Sequence, residues 1–177
     1  MARPRTVTDE AILAAAARAV AATGPADVTL AHVGAGAGLT AAALLRRFGS
    51  KRGLLLALAR HGATTLPAHL GAAHDVDDLV ERLAGMAAGM RDPVEFANHL
   101  AFLLLDVSDP EFRAISRDYT AAVEAAIGRV AGASNARAVH AAYNGALLTW
   151  GMAGGDGDPA EDVRDQLRRV LGKGWTR

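Results

Sequence analysis

Residues 29–54 read TLAHVGAGAGLTAAALLRRFGSKRGL. Thr29 is placed to cap a short helix from Leu30 to about Gly36, and Thr40 to cap a second one, Ala41 to Phe48. Between them, Ala37-Gly38-Leu39 reads as a tight turn, because Gly38 lets the chain reverse sharply. Leu30 and Val33 face inward on the first helix, and Leu39 plugs the angle between the two. Leu44 and Phe48 are four apart, so they bury one side of the second helix. Ala42, Ala43, Leu45 and Arg46 then point outward, with Ala41 and Arg47 on the flanks. Two short helices joined by a glycine-bearing turn form a helix-turn-helix, whose second helix is built to enter the major groove of DNA.

The flanking sequence extends this unit in both directions. A helix is expected after Thr8, with Asp9 and Glu10 in its first turn, where acids suit the helix dipole. It carries Ile12, Leu13, Ala16 and Val20 at helical spacing, and Gly24-Pro25 stops it. Ser50 is placed to cap a fourth helix, from Lys51 to the region 62–69. Asp75 or Asp77 opens a fifth, ending near Arg91. Pro93 suits the first position of a sixth, running to about Asp106. Ser108-Asp109-Pro110 starts a seventh, to about Ala131, and Ser134 an eighth, to Ala153. The run 154–159 is a loop, and a ninth helix follows from Ala160 to Leu171. Nothing reads as a strand. The expected fold is all-α, about nine helices, with a helix-turn-helix domain over residues 1–54 and a helical domain over residues 55–177.

Composition supports that reading. The chain has 177 residues, 51% of them hydrophobic, so it can build a core. Alanine dominates, and alanine is the best helix former. Cysteine is absent, which excludes disulfides, thiolate metal sites and cysteine nucleophiles. The spacing of His61, His69 and His74 does not suit a same-face metal pair, so neither a metal nor another cofactor is expected. There is no signal-peptide pattern and no long apolar span, so a cytoplasmic location is expected. The net charge is zero but unevenly spread. Residues 1–60 hold Arg3, Arg5, Arg18, Arg46, Arg47, Lys51, Arg52 and Arg60 against only Asp9, Glu10 and Asp27. The basic first third points to a polyanion bound at that end. Arg3 and Arg5 are candidates for an arm along the DNA backbone or in the minor groove.

The stretch resembles the DNA-binding part of TetR-type (tetracycline-repressor-like) regulators. Their pattern is matched at Thr29, Ala37, Gly38, Leu44, Phe48, Ser50, Lys51 and Leu54, with close replacements at Val33, Leu39 and Thr40. Departures fall on the polar positions: Ala42, Ala43 and Leu45 in the second helix, then Arg47 and Arg52. The resemblance implies phosphate contacts from Thr29, Thr40 and Lys51. Ala41, Ala42 and Ala43 offer methyl groups to thymine, and Leu45 stands where the family's tyrosine meets a phosphate. Arg46 and Arg47 are the only long donors on the recognition helix. One of them is expected at guanine and the other at phosphate; the family's matching position favours Arg47, and helical geometry Arg46.

The resemblance also implies that the rest of the chain binds a small-molecule inducer and forms a homodimer. Met86, Met90, His99, Phe102, Tyr119, Tyr143 and Trp150 are candidates to line a pocket, although such residues suit a plain helical core equally well. Asn98, His99, Tyr143 and Asn144 are polar groups among apolar neighbours and need partners. The last two helices are expected to make the dimer through Val139, Ala146, Leu147, Val163, Leu167 and Val170. The fourth helix, starting at the DNA unit and ending in the second domain, is the expected lever. The whole reads as a DNA-binding regulator, expected to be a repressor that an inducer releases from a palindromic operator. A helix-turn-helix dimer without an inducer is the alternative. An enzyme is not expected: there is no H-E-x-x-H, G-x-S-x-G or Walker loop.

Overall fold

The computed structural model describes residues 7–172. They form the helices α1 (Asp9–Asp27), α2 (Leu30–Ala37), α3 (Ala41–Phe48), α4 (Lys51–Gly71), α5 (Val76–Ala88), α6 (Pro93–Leu103), the single turn α7 (Leu105–Ser108), α8 (Pro110–Ala131), α9 (Ala133–Met152) and α10 (Pro159–Gly172). No strand occurs among the described residues. Arg3 and Arg5 lie outside them.

Local capping chemistry sets most boundaries. The hydroxyls of Thr8, Thr29, Thr40 and Ser50 accept from the backbone N–H groups of Ala11, His32, Ala43 and Gly53. The Asp75, Asp92 and Asp109 carboxylates do the same for α5, α6 and α8, and Pro93 and Pro110 stand at the starts of the last two. Gly24 breaks α1 with φ 77° and ψ 162°. Four boundaries differ from the sequence expectation. α4 runs through Pro67 to Gly71, and α5 stops at Ala88. The sixth helix ends at Leu103, where the chain turns into α7; the Arg113 guanidinium holds the Asp106 and Val107 carbonyls and closes that turn. α9 starts one residue before Ser134, after Gly132 at φ 84°, with no side-chain cap.

Burial divides the molecule into two apolar clusters. The first joins Ile12, Leu13, Ala16, Val20, Val33, Leu44 and Leu54 to Leu56. It also takes in Phe112 of α8, with Phe102, Leu105 and Ile115 packed around it, so the second half of the chain completes the core of the first. The second cluster holds Leu79, Leu83, Phe96, Val123, Ile127, Val139, Tyr143, Leu147, Trp150, Val163 and Leu167. α8 lies along α4, α6 lies along α1, and α10 packs on α5 and α9. The two halves therefore meet along two separate helix pairs, which limits how either can move alone.

Candidate functional site

The recognition unit is assembled around two fully buried side chains, Val33 on α2 and Leu44 on α3. Gly38 closes α2 in the left-handed conformation (φ 68°, ψ 31°), its N–H donating to the Gly34 carbonyl. The Leu39 N–H donates to the same carbonyl at 2.9 Å. Gly34 itself lies under this turn: a Cβ there would stand 2.6 Å from the Leu39 carbonyl oxygen. The sequence reading overlooked Gly34, although its place four residues before Gly38 was visible.

Leu44 is the only fully buried residue of α3 and Phe48 packs half-buried against the same cluster, so the opposite side of that short helix faces outward. Ala41, Ala42, Leu45, Arg46 and Arg47 are exposed and Ala43 is half-buried. Leu45, half exposed at 51%, is one of few large apolar side chains so presented. The two arginines differ. Arg46 makes no hydrogen bond or ion pair among the described residues. Arg47 turns back to α1: its Nη1 donates to the Val7 carbonyl at 2.8 Å and its Nε meets the Asp9 carboxylate at 2.5 Å. The structure thus places at the tip of α1 the arginine that the family pattern favoured for base reading.

Lys51, at the start of α4, also has an intramolecular partner, donating to the Ala26 carbonyl at 2.5 Å. An ammonium has three donors, so two stay open for phosphate. Thr29 and Thr40 are exposed, and their capping oxygens leave each hydroxyl proton available. The first turns of α2, α3 and α4 add backbone N–H groups, which favour anions.

Arg52 belongs to the joint between the halves. Its Nε and Nη2 grip the Asp109 carboxylate at 2.8 and 2.9 Å, and its Nη1 reaches Glu111 at 3.1 Å. Arg60, two turns along α4, meets the other Glu111 oxygen at 2.5 Å. Hydrogen bonding to Arg52 holds Asp109 below the usual carboxylate range, and the carboxylates raise Arg52 in turn. On the second helix pair, the Asn98 amide donates to the Ala21 carbonyl at 2.7 Å, answering the expected need of Asn98 for a partner.

The remaining candidates separate into groups. Tyr143 and Trp150 are buried in the second cluster, with Tyr119, Met86 and Met90 partly buried against it. His99 is half-buried on α6, and burial pushes its imidazole toward the neutral form. Phe102 stands apart: it packs edge-on against Phe112 in the first cluster, with ring centres 6.1 Å apart. Two open surface grooves of about 550 and 570 Å³ run beside Asp106, Arg113 and Arg117, and beside His69, Arg82 and Met86. Neither lies at Tyr143. Val139, Val163 and Leu167 are fully enclosed within one chain, Ala146 and Leu147 nearly so, and Val170 is half-buried. α9 turns a different face outward: Ala138, Ala141, Gly145, Leu148 and Met152. No cluster of three or more potential metal ligands occurs among the described residues.

Comparison with known proteins agrees with this geometry. Residues 12–58 match the family described as bacterial regulatory proteins, tetR family. Residues 74–173 match the tetracyclin repressor-like C-terminal domain. Among solved structures, the multidrug binding protein EbrR complexed with ethidium is similar with a TM-score of 0.66 and 21% identity, over 92% of this chain and 97% of that one. The fatty acid degradation regulator FadR from Bacillus halodurans gives 0.66 and 13%, over 96% and 100%. A TetR-family member from Streptomyces coelicolor A3 gives 0.66 and 22%, over 91% and 96%. At such identities these likenesses speak for the fold. No curated protein matches the sequence significantly. With family matches over both its helix-turn-helix and its helical second half, the chain belongs to the TetR family of DNA-binding transcriptional regulators.

Proposed function

We propose that this regulator is a homodimeric repressor, residues 1–54 reading DNA and residues 55–177 binding an inducer and forming the dimer. It acts in the cytoplasm on a palindromic operator and performs no catalysis. No helix among the described residues is long and apolar enough to cross a membrane. Arg46 and Ala41 to Ala43 meet the bases, Leu45 packs against the duplex backbone, and Thr29, Thr40 and Lys51 meet phosphates. Arg3 and Arg5 extend the contact along the duplex.

The observation that carries the inducer reading is the double joint. Arg52 and Arg60 fasten α4 to the head of α8, and Asn98 fastens α6 to α1. A shift of α6 or α8 in the second half therefore moves the helices that carry the recognition unit. An inducer that binds the shifted state better draws the population toward it, and the two recognition helices cease to match successive major grooves. EbrR and FadR, by their descriptions a drug binder and a metabolic regulator, are fold relatives whose roles fit the same design.

The dimer reading rests on the outer face of α9. Leu148 is 44% exposed and Met152 81%, beside small residues that allow close helix approach. This face replaces Val139, Ala146, Leu147, Val163 and Leu167, whose side chains are consumed by the chain's own core. Half-buried Val170 stays at the margin. The experiment is Leu148→Glu. Sedimentation should show a folded monomer, and operator affinity should fall at least tenfold because a lone recognition helix reads too little DNA. A Leu148→Glu protein that stays dimeric with full affinity overturns this arrangement.

A further inference from the structure

Tyr143 and Trp150 stand seven residues apart on α9, hence on one face and about 10 Å apart along the axis. Both are more than nine-tenths buried. The Tyr143 hydroxyl and the Trp150 indole Nε1 nevertheless find no hydrogen-bond partner among the described residues. Unpaired polar groups in an apolar core are costly, and an acceptor brought by a ligand would remove that cost at both. Indole N–H can only donate. Burial, with the neighbouring Tyr119 phenol, raises the Tyr143 hydroxyl above its ordinary range, so it too keeps its proton. No charged side chain is buried among the described residues. Burial holds His99 and His140 toward the neutral form, the latter against the half-buried Glu124 carboxylate 3.8 Å away.

The seam beside Trp150 is thin. α6 leans mainly on α1 and meets α9 chiefly where the Phe96 ring packs edge-on against Trp150, centroids 5.6 Å apart. Phe96 also sits directly on the α9 backbone: a Cβ at Gly151 would fall 2.2 Å from its ring. A guest that displaces Phe96 shifts α6, and α6 is tied to the recognition unit through Asn98.

We propose that the effector is an uncharged, mainly apolar molecule bearing hydrogen-bond acceptors, held along the inner face of α9 by the Trp150 N–H, beside Phe96 of α6, and the Tyr143 hydroxyl, beside Tyr119 of α8. This rests on the inducer reading above and specifies its chemistry. Among the described residues a cation finds no fully buried carboxylate here and an anion no buried guanidinium or ammonium, so either loses hydration with little compensation. A neutral molecule with carbonyl, ester or ether oxygens about 10 Å apart gains two donors that no described residue uses.

The test uses the full chain and matched probes: aryl bodies of one, two and three rings, each carrying at both ends an acetyl, an aminomethyl or a carboxylate group. Titration calorimetry and thermal shift should show binding by acetyl members only. Tighter binding by the ammonium or carboxylate members overturns the proposed chemistry and leaves an inducible regulator. No binding by any probe overturns the inducer reading together with the proposal. Tyr143→Phe supplies a second readout. Because the hydroxyl is unpaired in the free protein, its removal should leave Tm unchanged or raise it by about 2–4 °C, while acetyl-probe affinity falls about three- to tenfold. A lowered Tm, or an unchanged affinity, shows that the hydroxyl serves the fold or an ordered water instead, and sinks the assignment.

Discussion

Replacing Arg46 by Ala should abolish sequence preference while sparing non-specific binding, and replacing Arg47 should do the reverse. Arg46 is exposed and uncommitted among the described residues, so it reaches a guanine edge without breaking anything. Arg47 would first have to leave Val7 and Asp9. A bidentate arginine–guanine contact discriminates by about 1–3 kcal/mol, hence roughly five- to 150-fold for each half-site. A dimer uses it twice, so Arg46→Ala should lower cognate affinity by about the square of that factor and scrambled-duplex affinity only a few-fold. Arg47→Ala loosens the grip of α3 on α1 and should weaken both duplexes alike. Asp9→Asn provides a control: it frees Arg47 and removes a negative charge, so affinity for both duplexes should rise modestly at low salt. The assay is fluorescence anisotropy with all three variants on cognate and scrambled duplexes at two salt concentrations. If Arg47→Ala loses specificity and Arg46→Ala does not, the assignment from intramolecular pairing is wrong.

Other consequences follow from burial and charge. Leu44→Ala, at the only fully buried position of α3, should cost about 2–5 kcal/mol and lower Tm by roughly 5–15 °C, with DNA binding lost; calorimetry checks it. His99 and His140 are both held toward neutrality by burial. Their folded pKa values lie below the unfolded value of about 6.5, so below that pH the unfolded chain takes up more protons and stability falls. Urea midpoints at pH 7 and pH 5 should show this loss, and His99→Leu should make it smaller. Asp109 is depressed instead, so the stability it contributes is present above about pH 4 and is lost only in more acidic solution. Arg52→Ala should leave the helices intact but speed hydrogen exchange at the start of α8 and weaken the response of operator binding to an effector.

The helix-turn-helix was legible because its signals are local. Thr29, Gly38, Thr40 and Ser50 act on backbone groups within a few residues, and Leu44 and Phe48 announce their face by spacing alone. What the long side chains do was not legible in the same way. Arg47 finds its partner 40 residues away, Lys51 25 and Arg52 57, so their directions depend on packing between helices. Phe102 and Phe112 likewise join a core that the sequence assigns to the other half of the chain. The outer face of α9 escaped notice for a different reason. Its alanines and glycine add little to any hydrophobic period, while Val139, Leu147 and Leu167 stand out because they fill the chain's own core. The break at Leu104 carries no glycine or proline to mark it and depends on Arg113 from the following helix.

Selection of duplexes from a random pool by the purified protein, followed by sequencing and a stoichiometry measurement on the winner, tests the central claim most directly. The account predicts a palindromic or near-palindromic site whose half-sites lie about one helical turn, or a multiple of it, apart. Two chains should bind each duplex, and affinity should fall steeply as salt rises. A pool that shows no enrichment, with no duplex binding even at low salt, would contradict it.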